Sequence, residues 1–412
     1  MLYKIKDNFN ILKDRLRNPL YLNSFYIMLN SITGSGIGFI FWIVAAKFYS
    51  TEVVGITTAL LSSITLITMF SFLGFDQSII RFFPSGDKSK LFSTAAIIAF
   101  ISGTIFCLIY VIGIDIWAPT LSIIKNNFFI FYIFLIANIM TLLAGSAFLA
   151  LRKAKYLFMQ SLVTGTRLFL LIPFVIFGAL GIFISFGVSY ILALLFTLII
   201  LYKYDIHPKK LDIKFLNRSL HFSMGNYVYG LLFAVPSQIM PILVITILGA
   251  ESAAYFYIAF ALASIPMVII SSFATSLFVE GSYGEPLKEN VKKSIKSIFL
   301  ILTPVVLLLI FFGEPLLGLI GQNYLNALNI FRLMLVSTFF IVFYNIFISI
   351  KRIQKDIKVL IFIGTINAIL LIGFNYILMQ IFGLIGIGYA WIISYGLLSL
   401  FVIIMARREK WI

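Results

Sequence analysis

Long apolar stretches dominate this sequence and decide what it can fold into. A helix needs about 20 mostly apolar residues to cross a bilayer, and twelve stretches of that kind follow one another along the chain. They lie near 21–48, 53–75, 91–114, 127–149, 156–178, 180–202, 220–248, 252–279, 294–312, 327–350, 357–378 and 382–405. The stretches are continuous rather than alternating, which is typical of helices and not of barrel strands. We therefore predict an all-α, polytopic integral membrane protein with 12 transmembrane helices.

The composition excludes two other classes of protein. Hydrophobic residues make up 61% of the chain and charged residues 11%, with a mean hydropathy of +1.08. A soluble domain is about 45–50% apolar and about 25% charged, so a soluble enzyme would have no place for this much apolar surface. A disordered chain is excluded by the same figures.

The positive charges lie on one side of the predicted membrane. The chain has 31 Lys and Arg against 15 Asp and Glu. If the N-terminus is cytoplasmic, 27 of the basic residues fall on the cytoplasmic side and only Lys47 and Lys125 on the other. Cytoplasmic loops carry such an excess. We therefore expect a multi-pass protein of the cytoplasmic membrane with both termini cytoplasmic, and no nucleic-acid partner.

Several charged landmarks recur 199 residues apart. Glu52 is followed by Glu251, Asp115 by Glu314, and the pair Arg152-Lys153 by Lys351-Arg352. This offset predicts two parallel six-helix halves around a central cavity, an architecture of transporters. The predicted parts are a basic N-terminal segment 1–20, a half 21–202, a basic linker 203–219, a half 220–405 and a tail 406–412. Because two halves already supply the symmetry, a monomer is expected.

The residues needed for common catalytic chemistry are missing. The chain has one cysteine and two histidines, and it contains neither the phosphate-binding pattern GxxxxGK[ST] nor the hydrolase pattern GxSxG. The loops predicted on the outer side are short. We expect no catalytic residue, no metal, no cofactor and no enzymatic activity.

Two arginines fall inside predicted spans. Arg167 lies about 12 residues, or roughly 18 Å, from the inner end of the fifth span, and no acidic residue is predicted at that depth. Inserting an arginine there costs about 2.5–3.5 kcal/mol, so an anionic ligand in a watery cavity would be a natural partner. Hydrogen bonds to the carbonyls of a neighbouring helix are the alternative. Arg332 lies near the outer end of the tenth span, where it can line the cavity or reach water. Both are predicted to bind a substrate phosphate.

Polar and helix-weakening residues accompany these arginines. The predicted spans carry amides that can line a cavity or join helices by hydrogen bonds: Asn30, Asn138, Asn226, Gln238 and Asn345. The first helix of each half also has a weak point, at Gly34, Gly36 and Gly38 in one and at Pro236 and Pro241 in the other. These positions predict a hinge. Close helix packing through Gly34 and Gly38 is the other interpretation.

The stretch from Phe41 to Pro84 resembles a known family. It contains Glu52-Val53-Val54-Gly55, Gly74-Phe75-Asp76 and Ile80-Arg81-Phe82-Phe83, and Leu248-Gly249-Ala250-Glu251 resembles the same family in the second half. The family is that of the Wzx-type polysaccharide flippases in the multidrug/oligosaccharidyl-lipid/polysaccharide exporter superfamily, which includes the MATE exporters. The resemblance implies a MATE-like bundle that moves a glycan linked to polyprenyl phosphate or pyrophosphate from the inner to the outer leaflet.

The resemblance implies partners and leaves alternatives. Expected partners are membrane lipids, the lipid-linked oligosaccharide and a glycan polymerase or glycosyltransferases of the same pathway. A cation-coupled multidrug or metabolite exporter of the same superfamily is the alternative, although no carboxylate is predicted at mid-span. A transporter of another twelve-span fold and a membrane-bound glycan polymerase or transferase fit the sequence less well.

Overall fold

The computed structural model describes residues 19–282 and 287–409, in which every regular element is a helix. The α-helices are α1 Pro19–Phe48, α2 Thr51–Ser71, α3 Phe75–Phe82, α4 Lys88–Ile112, α5 Ile114–Trp117, α6 Ile123–Asn126, α7 Phe128–Ala150, α8 Ala154–Thr164, α9 Arg167–Leu171, α10 Ala179–Lys203, α11 Ile213–Leu248, α12 Ala250–Ala263, α13 Ile265–Ser282, α14 Leu287–Phe311, α15 Gly313–Ile320, α16 Leu328–Ile353, α17 Ile357–Phe382 and α18 Leu384–Arg408. Short 3₁₀ turns link some of them.

The helices account for the predicted spans. Within the described residues, ten helices are long and apolar enough to cross a membrane. Helices α12 and α13, bent by 44° at their junction, pass the same test together and count as an eleventh if the pair is one span. The predicted fifth span is the exception, because it is divided into α8, α9 and the 3₁₀ segment Pro173–Phe177. A chain in lipid must satisfy its backbone groups internally, which helices do. The all-α, multi-pass architecture is confirmed.

Aspartates cap three helices at the ends where the basic loops lie. Asp87 accepts a hydrogen bond from the Lys90 amide at the start of α4, and Asp356 accepts one from the Val359 amide at the start of α17. Asp212 does the same for the amide of Phe215 in α11. Each carboxylate satisfies a donor that the first helical turn leaves open. The capping residues therefore set where these helices begin.

Helix boundaries recur at the offset seen in the charged landmarks. Helix α4 runs from Lys88 to Ile112, and 199 residues later α14 runs from Leu287 to Phe311. The offset then increases to 205, since Gly178 before α10 corresponds to Gly383 before α18, both with positive φ. These glycines lie in the related sequences Phe-Gly-Ala-Leu-Gly-Ile and Phe-Gly-Leu-Ile-Gly-Ile. A positive φ strains other residues and not glycine.

By their internal contacts the described residues divide into two compact units. Unit 1 comprises the residues up to Phe48, Ile67–Gly113 and Ile123–Met224, and unit 2 comprises Tyr49–Leu66, Ile114–Ser122 and the chain from Gly225 onwards. In unit 1, α8 packs between α1 and α10, and α7 packs on α4 and α10. In unit 2, α16 is surrounded by α12, α13, α14 and α18. The division into halves at the basic linker stays a prediction.

Unit 2 contains a close helix approach at Gly55. A Cβ atom added to Gly55 would lie 1.7 Å from the carbonyl oxygen of Ala250. The N-terminal turns of α2 and α12 therefore touch through backbone, which any side chain at position 55 would prevent. These two helices start 199 residues apart, so the contact joins equivalent positions of the repeat.

Candidate functional site

The site begins with the break in the predicted fifth span. After Thr164 the backbone continues through tight turns, with the Gly165 and Thr166 amides donating to carbonyls three residues back. The hydroxyls of Thr164 and Thr166 also donate to carbonyls three residues back, which competes with regular helical bonding. A Cβ on Gly165 would approach Ile37 of α1 to 2.7 Å. The break thus lets α1 pack closely where Arg167 begins α9.

Arg167 lies in an aromatic setting within unit 1. Its guanidinium carbon is 5.4 Å from the ring centre of Phe41 in α1 and 4.3 Å from that of Phe186 in α10. The two rings meet edge to face at 4.9 Å, and Gly38 leaves room beside the guanidinium. Cation–π attraction of this kind is stronger away from water. The half-buried cation is therefore held by aromatic rings of two helices.

A polar chain extends from this arginine toward α2. Tyr190 follows Phe186 by one turn of α10 and lies within electrostatic range of Arg167. Its side chain hydrogen-bonds that of Asn138, whose amide oxygen accepts a hydrogen bond of 3.0 Å from the Thr68 hydroxyl. Buried polar groups in an apolar setting must be hydrogen-bonded. Asn138 is thus placed near the arginine, as a linking residue between α2, α7 and α10.

Helix α8 supplies further polar links. Ser161 donates a hydrogen bond to Asn30 of α1. Gln160 donates to the Thr141 carbonyl and to the Thr197 hydroxyl, each at 2.9 Å. Asn30 therefore joins two helices by a hydrogen bond, which is one of its two predicted uses. Whether it also lines a cavity stays a prediction.

The second predicted phosphate ligand belongs to unit 2. Arg332 is half-buried in the first turns of α16, and its Nε makes no hydrogen bond within the described part of the chain. The buried atoms Asn375 Oδ1 and Trp391 Nε1 also make no hydrogen bond to any described residue. Such atoms need water or a ligand as partner. The Asn345 amide bonds the Ile341 carbonyl of its own helix at 3.2 Å.

The remaining predicted residues lie on α1 and α11. Gln238 is half-buried, and Asn226 lies on α11 with a side chain outside the described residues. Helix α1 runs without a break through its glycines, and a Cβ at Gly34 or Gly36 would meet no described atom within 4 Å. Among the described residues, nothing therefore packs against Gly34, and its packing role stays a prediction. Pro236 and Pro241 lie inside α11, and the hinge role of all five stays a prediction.

Comparison with known proteins gives the family. The model of the family described as polysaccharide biosynthesis protein matches residues 20–278, which include Arg167 and every element around it. The chain belongs to this polysaccharide biosynthesis family. A relative in Methanocaldococcus jannaschii, described as an uncharacterized membrane protein, is 24% identical over 87% of this chain and 80% of its own length.

Solved structures show the same fold. The lipid II flippase MurJ in an inward closed conformation has a TM-score of 0.74 at 16% identity, covering 92% of this chain and 87% of that one. An inward-facing multidrug resistance MATE transporter has a TM-score of 0.67 at 16% identity, covering 96% and 98%. The predicted MATE-like fold is confirmed. This member of the polysaccharide biosynthesis family has the fold of membrane transporters and flippases.

Sequence reasoning singled out Arg167 as a candidate and missed its surroundings. Phe41, Phe186 and Tyr190 are ordinary apolar positions in the sequence, and only the packing of α1, α9 and α10 brings them together. The break was also missed as a structural element, although Thr164-Gly165-Thr166 followed by Pro173 contains its signal. At the corresponding place in the second half, 199 residues later, α17 is continuous and carries Gly364-Thr365-Ile366, with isoleucine at the position of the arginine. The cation at a helix break is therefore a feature of unit 1.

Proposed function

We propose that this protein flips a lipid-linked oligosaccharide, a glycan on polyprenyl phosphate or pyrophosphate, from the inner to the outer leaflet for cell-surface polysaccharide biosynthesis. The observation that carries the proposal is Arg167, a cation at a helix break in the membrane-spanning part of a polysaccharide biosynthesis protein. Likeness in fold to a lipid II flippase supports it.

Arg167 has the chemistry for the phosphate group. Guanidinium offers forked donors that match phosphate oxygens, and hydrogen bonds between charged partners are the stronger ones. The Phe41 and Phe186 rings contact the cation through their faces and position the guanidinium at the helix break. Substrate binding would favour one of two access states of the transporter. Arg332 would meet the phosphate in a second position.

The charge distribution indicates the membrane and the orientation in which the protein would work. The 27 basic residues on one side support a location in the cytoplasmic membrane with both termini cytoplasmic. The substrate would come from glycosyltransferases and pass to a glycan polymerase. A monomer of two six-helix halves joined by the basic linker would suffice for transport, and the expected chemistry needs no cofactor.

A cation-coupled multidrug or metabolite exporter is the second candidate. The likeness to an inward-facing MATE transporter favours it. Coupling to protons or sodium usually needs a carboxylate in the membrane, and residues 127–202 around Arg167 contain neither Asp nor Glu. The flippase therefore fits unit 1 better.

Transport in reconstituted vesicles tests the proposal. Purified protein is placed in liposomes with a fluorescent polyprenyl-pyrophosphate-linked sugar, and the fraction reaching the opposite leaflet is followed by quenching with a membrane-impermeant reductant. Arg167→Ala should slow flipping by about tenfold or more, because it removes hydrogen bonds to a charged group. Arg167→Lys keeps the positive charge but lacks the forked donors of the guanidinium, so its flipping rate should lie between those of the wild type and Arg167→Ala.

Arg408→Ala is the matched control, since it removes an exposed arginine at the end of α18. It should leave flipping unchanged. Equal flipping by wild type and Arg167→Ala, at equal folded amounts, would remove Arg167 from the mechanism. Absence of flipping by the wild type, together with ion-gradient-driven export of a cationic dye, would favour the exporter.

A further inference from the structure

Unit 1 contains a cavity at the end where its basic loops lie. The cavity has a volume of about 440 Å³ and is bounded by α4, α7, α10 and residues 204–212, the segment between α10 and α11 that we call the strap. Ligand sites have volumes of about 300–1,000 Å³, so it is large enough for part of a small molecule. It involves none of the residues around Arg167.

The walls of the cavity are apolar and reach the membrane-facing surface. Met140 of α7 and Leu194 of α10 are among its lining residues. Ile97, Leu198 and Tyr202, which also line it, are exposed by 36%, 49% and 71%. They belong to membrane-spanning helices, so this surface faces lipid rather than water. An occupant can therefore enter from the bilayer.

The polar end of the cavity is a built structure. The strap is attached to the first turns of α4, where the His207 amide donates to the Ser89 hydroxyl at 3.1 Å and the Lys209 amide donates to the Ser93 hydroxyl at 2.9 Å. The Asp212 amide donates to the Thr94 hydroxyl at 2.9 Å. Ser93, His207 and Lys209 line the cavity. Side-chain hydroxyls of α4 thus fix the strap backbone under the apolar walls.

The rim around the strap is positively charged. Residues 87–90 and 203–214 contain six lysines and three aspartates. One lysine, Lys209, lies 3.0 Å from Asp87. Lys88, which follows Asp87 in the sequence, and Lys210, which follows Lys209, are both exposed. An apolar cavity with a basic rim is complementary to a molecule that has a hydrocarbon tail and an anionic head. Basic pockets between transmembrane helices on the cytoplasmic side bind anionic lipid head groups.

We propose that this cavity binds an anionic phospholipid of the cytoplasmic leaflet, with one acyl chain between α4, α7 and α10 and the phosphate at the strap lysines. The lining of the cavity includes the exposed Leu198 and, at the strap, Lys209, so it offers an apolar wall and a basic end for the two parts of such a lipid. The site is separate from the proposed substrate site, so it does not depend on the flippase activity. A lipid bound there would hold the strap, and with it the start of α11, against α4.

Photo-cross-linking tests the proposal in nanodiscs of neutral lipid. The probe is phosphatidylglycerol with a diazirine on one acyl chain, and labelled peptides are quantified by mass spectrometry. Labels should concentrate on α4, α7 and α10, and unlabelled phosphatidylglycerol should compete at least tenfold better than phosphatidylcholine. Leu198→Trp, which fills the cavity, should lower this labelling severalfold. Leu195→Trp on the same helix is its control, since Leu195 is 54% exposed and does not line the cavity.

A charge variant tests the rim. Lys88→Gln with Lys210→Gln leaves the Lys209–Asp87 contact in place and should weaken competition by phosphatidylglycerol about fivefold for each lysine removed. Lys292→Gln with Lys293→Gln on α14 should change nothing. Equal competition by phosphatidylcholine, or equal labelling of all spans, would overturn the proposal. Competition by a polyprenyl pyrophosphate alone would also overturn it and would assign the cavity to a substrate tail.

Discussion

A buried lysine in unit 2 offers a sharp test of the packing. Lys351 Nζ lies 2.6 Å and 2.7 Å from the two carboxylate oxygens of Glu409, with the Lys351 side chain 4% exposed and that of Glu409 32% exposed. Asp356 lies 4.0 Å from the same ammonium. The contact joins the end of α16 to the residue after α18. Glu409→Gln keeps the shape and removes the charge that neutralises the lysine.

The expected cost follows from this geometry. Breaking a buried ion pair costs about 3–5 kcal/mol, because the remaining charge stays buried. Asp356 still faces Lys351 and the glutamine oxygen still accepts a hydrogen bond, so we expect about 2 kcal/mol for Glu409→Gln. Lys351→Met should cost only about 1 kcal/mol, since the partly exposed Glu409 can turn to water. The double variant should cost less than the sum of the two.

The single cysteine provides the assay. Cys107 is fully buried, so a fluorogenic maleimide in detergent reacts only as the protein unfolds. The midpoint temperature of thermal unfolding falls by about 2–4 °C for each kcal/mol of stability lost, so Glu409→Gln should lower it by about 4 °C. Glu289→Gln is the control, because its partner Lys293 is 3.9 Å away and both side chains are 74% exposed. A Glu409→Gln shift no larger than that of the control would refute the reasoning, as would a larger shift for Lys351→Met.

Three further predictions use the same preparation. Gly55→Ala should lower the free energy of unfolding by about 3 kcal/mol, because the added methyl group overpacks the contact with α12. Gly36→Ala has open space around the added methyl group and should raise the free energy of unfolding by about 1 kcal/mol, because alanine favours a helix more than glycine does. Equal effects of the two variants in the Cys107 assay would contradict this. The hydrogen bond from Lys209, then that from the Lys90 amide, holds the pKa of Asp87 below its ordinary value. The ionised Asp87 therefore stabilises the strap fully at pH values above its pKa in the unfolded protein, and this stabilisation is lost as the pH falls through its pKa in the folded protein. Proteolysis of the strap should therefore increase below about pH 4. Lys209→Met should shift this increase to higher pH. Asn138→Leu should reduce flipping in vesicles by disrupting the polar chain at Arg167, and unchanged transport would exclude that link.

Much of the fold followed from local sequence. Long apolar runs become helices because lipid offers no partner for backbone groups, and this rule holds wherever the run lies in the chain. Asp87, Asp212 and Asp356 begin helices through contacts within three residues. The 199-residue offset is likewise visible in the sequence and recurs in the bounds of α4 and α14.

Contacts between distant residues were decided by the tertiary structure. The apolar pattern of residues 156–178 favours one continuous helix, and the break at Gly165 appears together with the packing of Ile37 on it. The rings of Phe41 and Phe186 both contact Arg167 because α1 and α10 both pack near α9. No local propensity encodes such a meeting.

The sequence by itself determined that the chain is a multi-pass membrane protein, where three of its helices begin, and that Arg167 is a cation within the apolar stretch 156–178. The tertiary structure alone decided what surrounds that cation, where Gly55 must be small, and how the strap closes a cavity over α4. The physical reason is the distance along the sequence over which each interaction acts. Hydrophobic burial, capping and backbone hydrogen bonding act within one turn or one span, whereas sites are made where spans distant in sequence pack together.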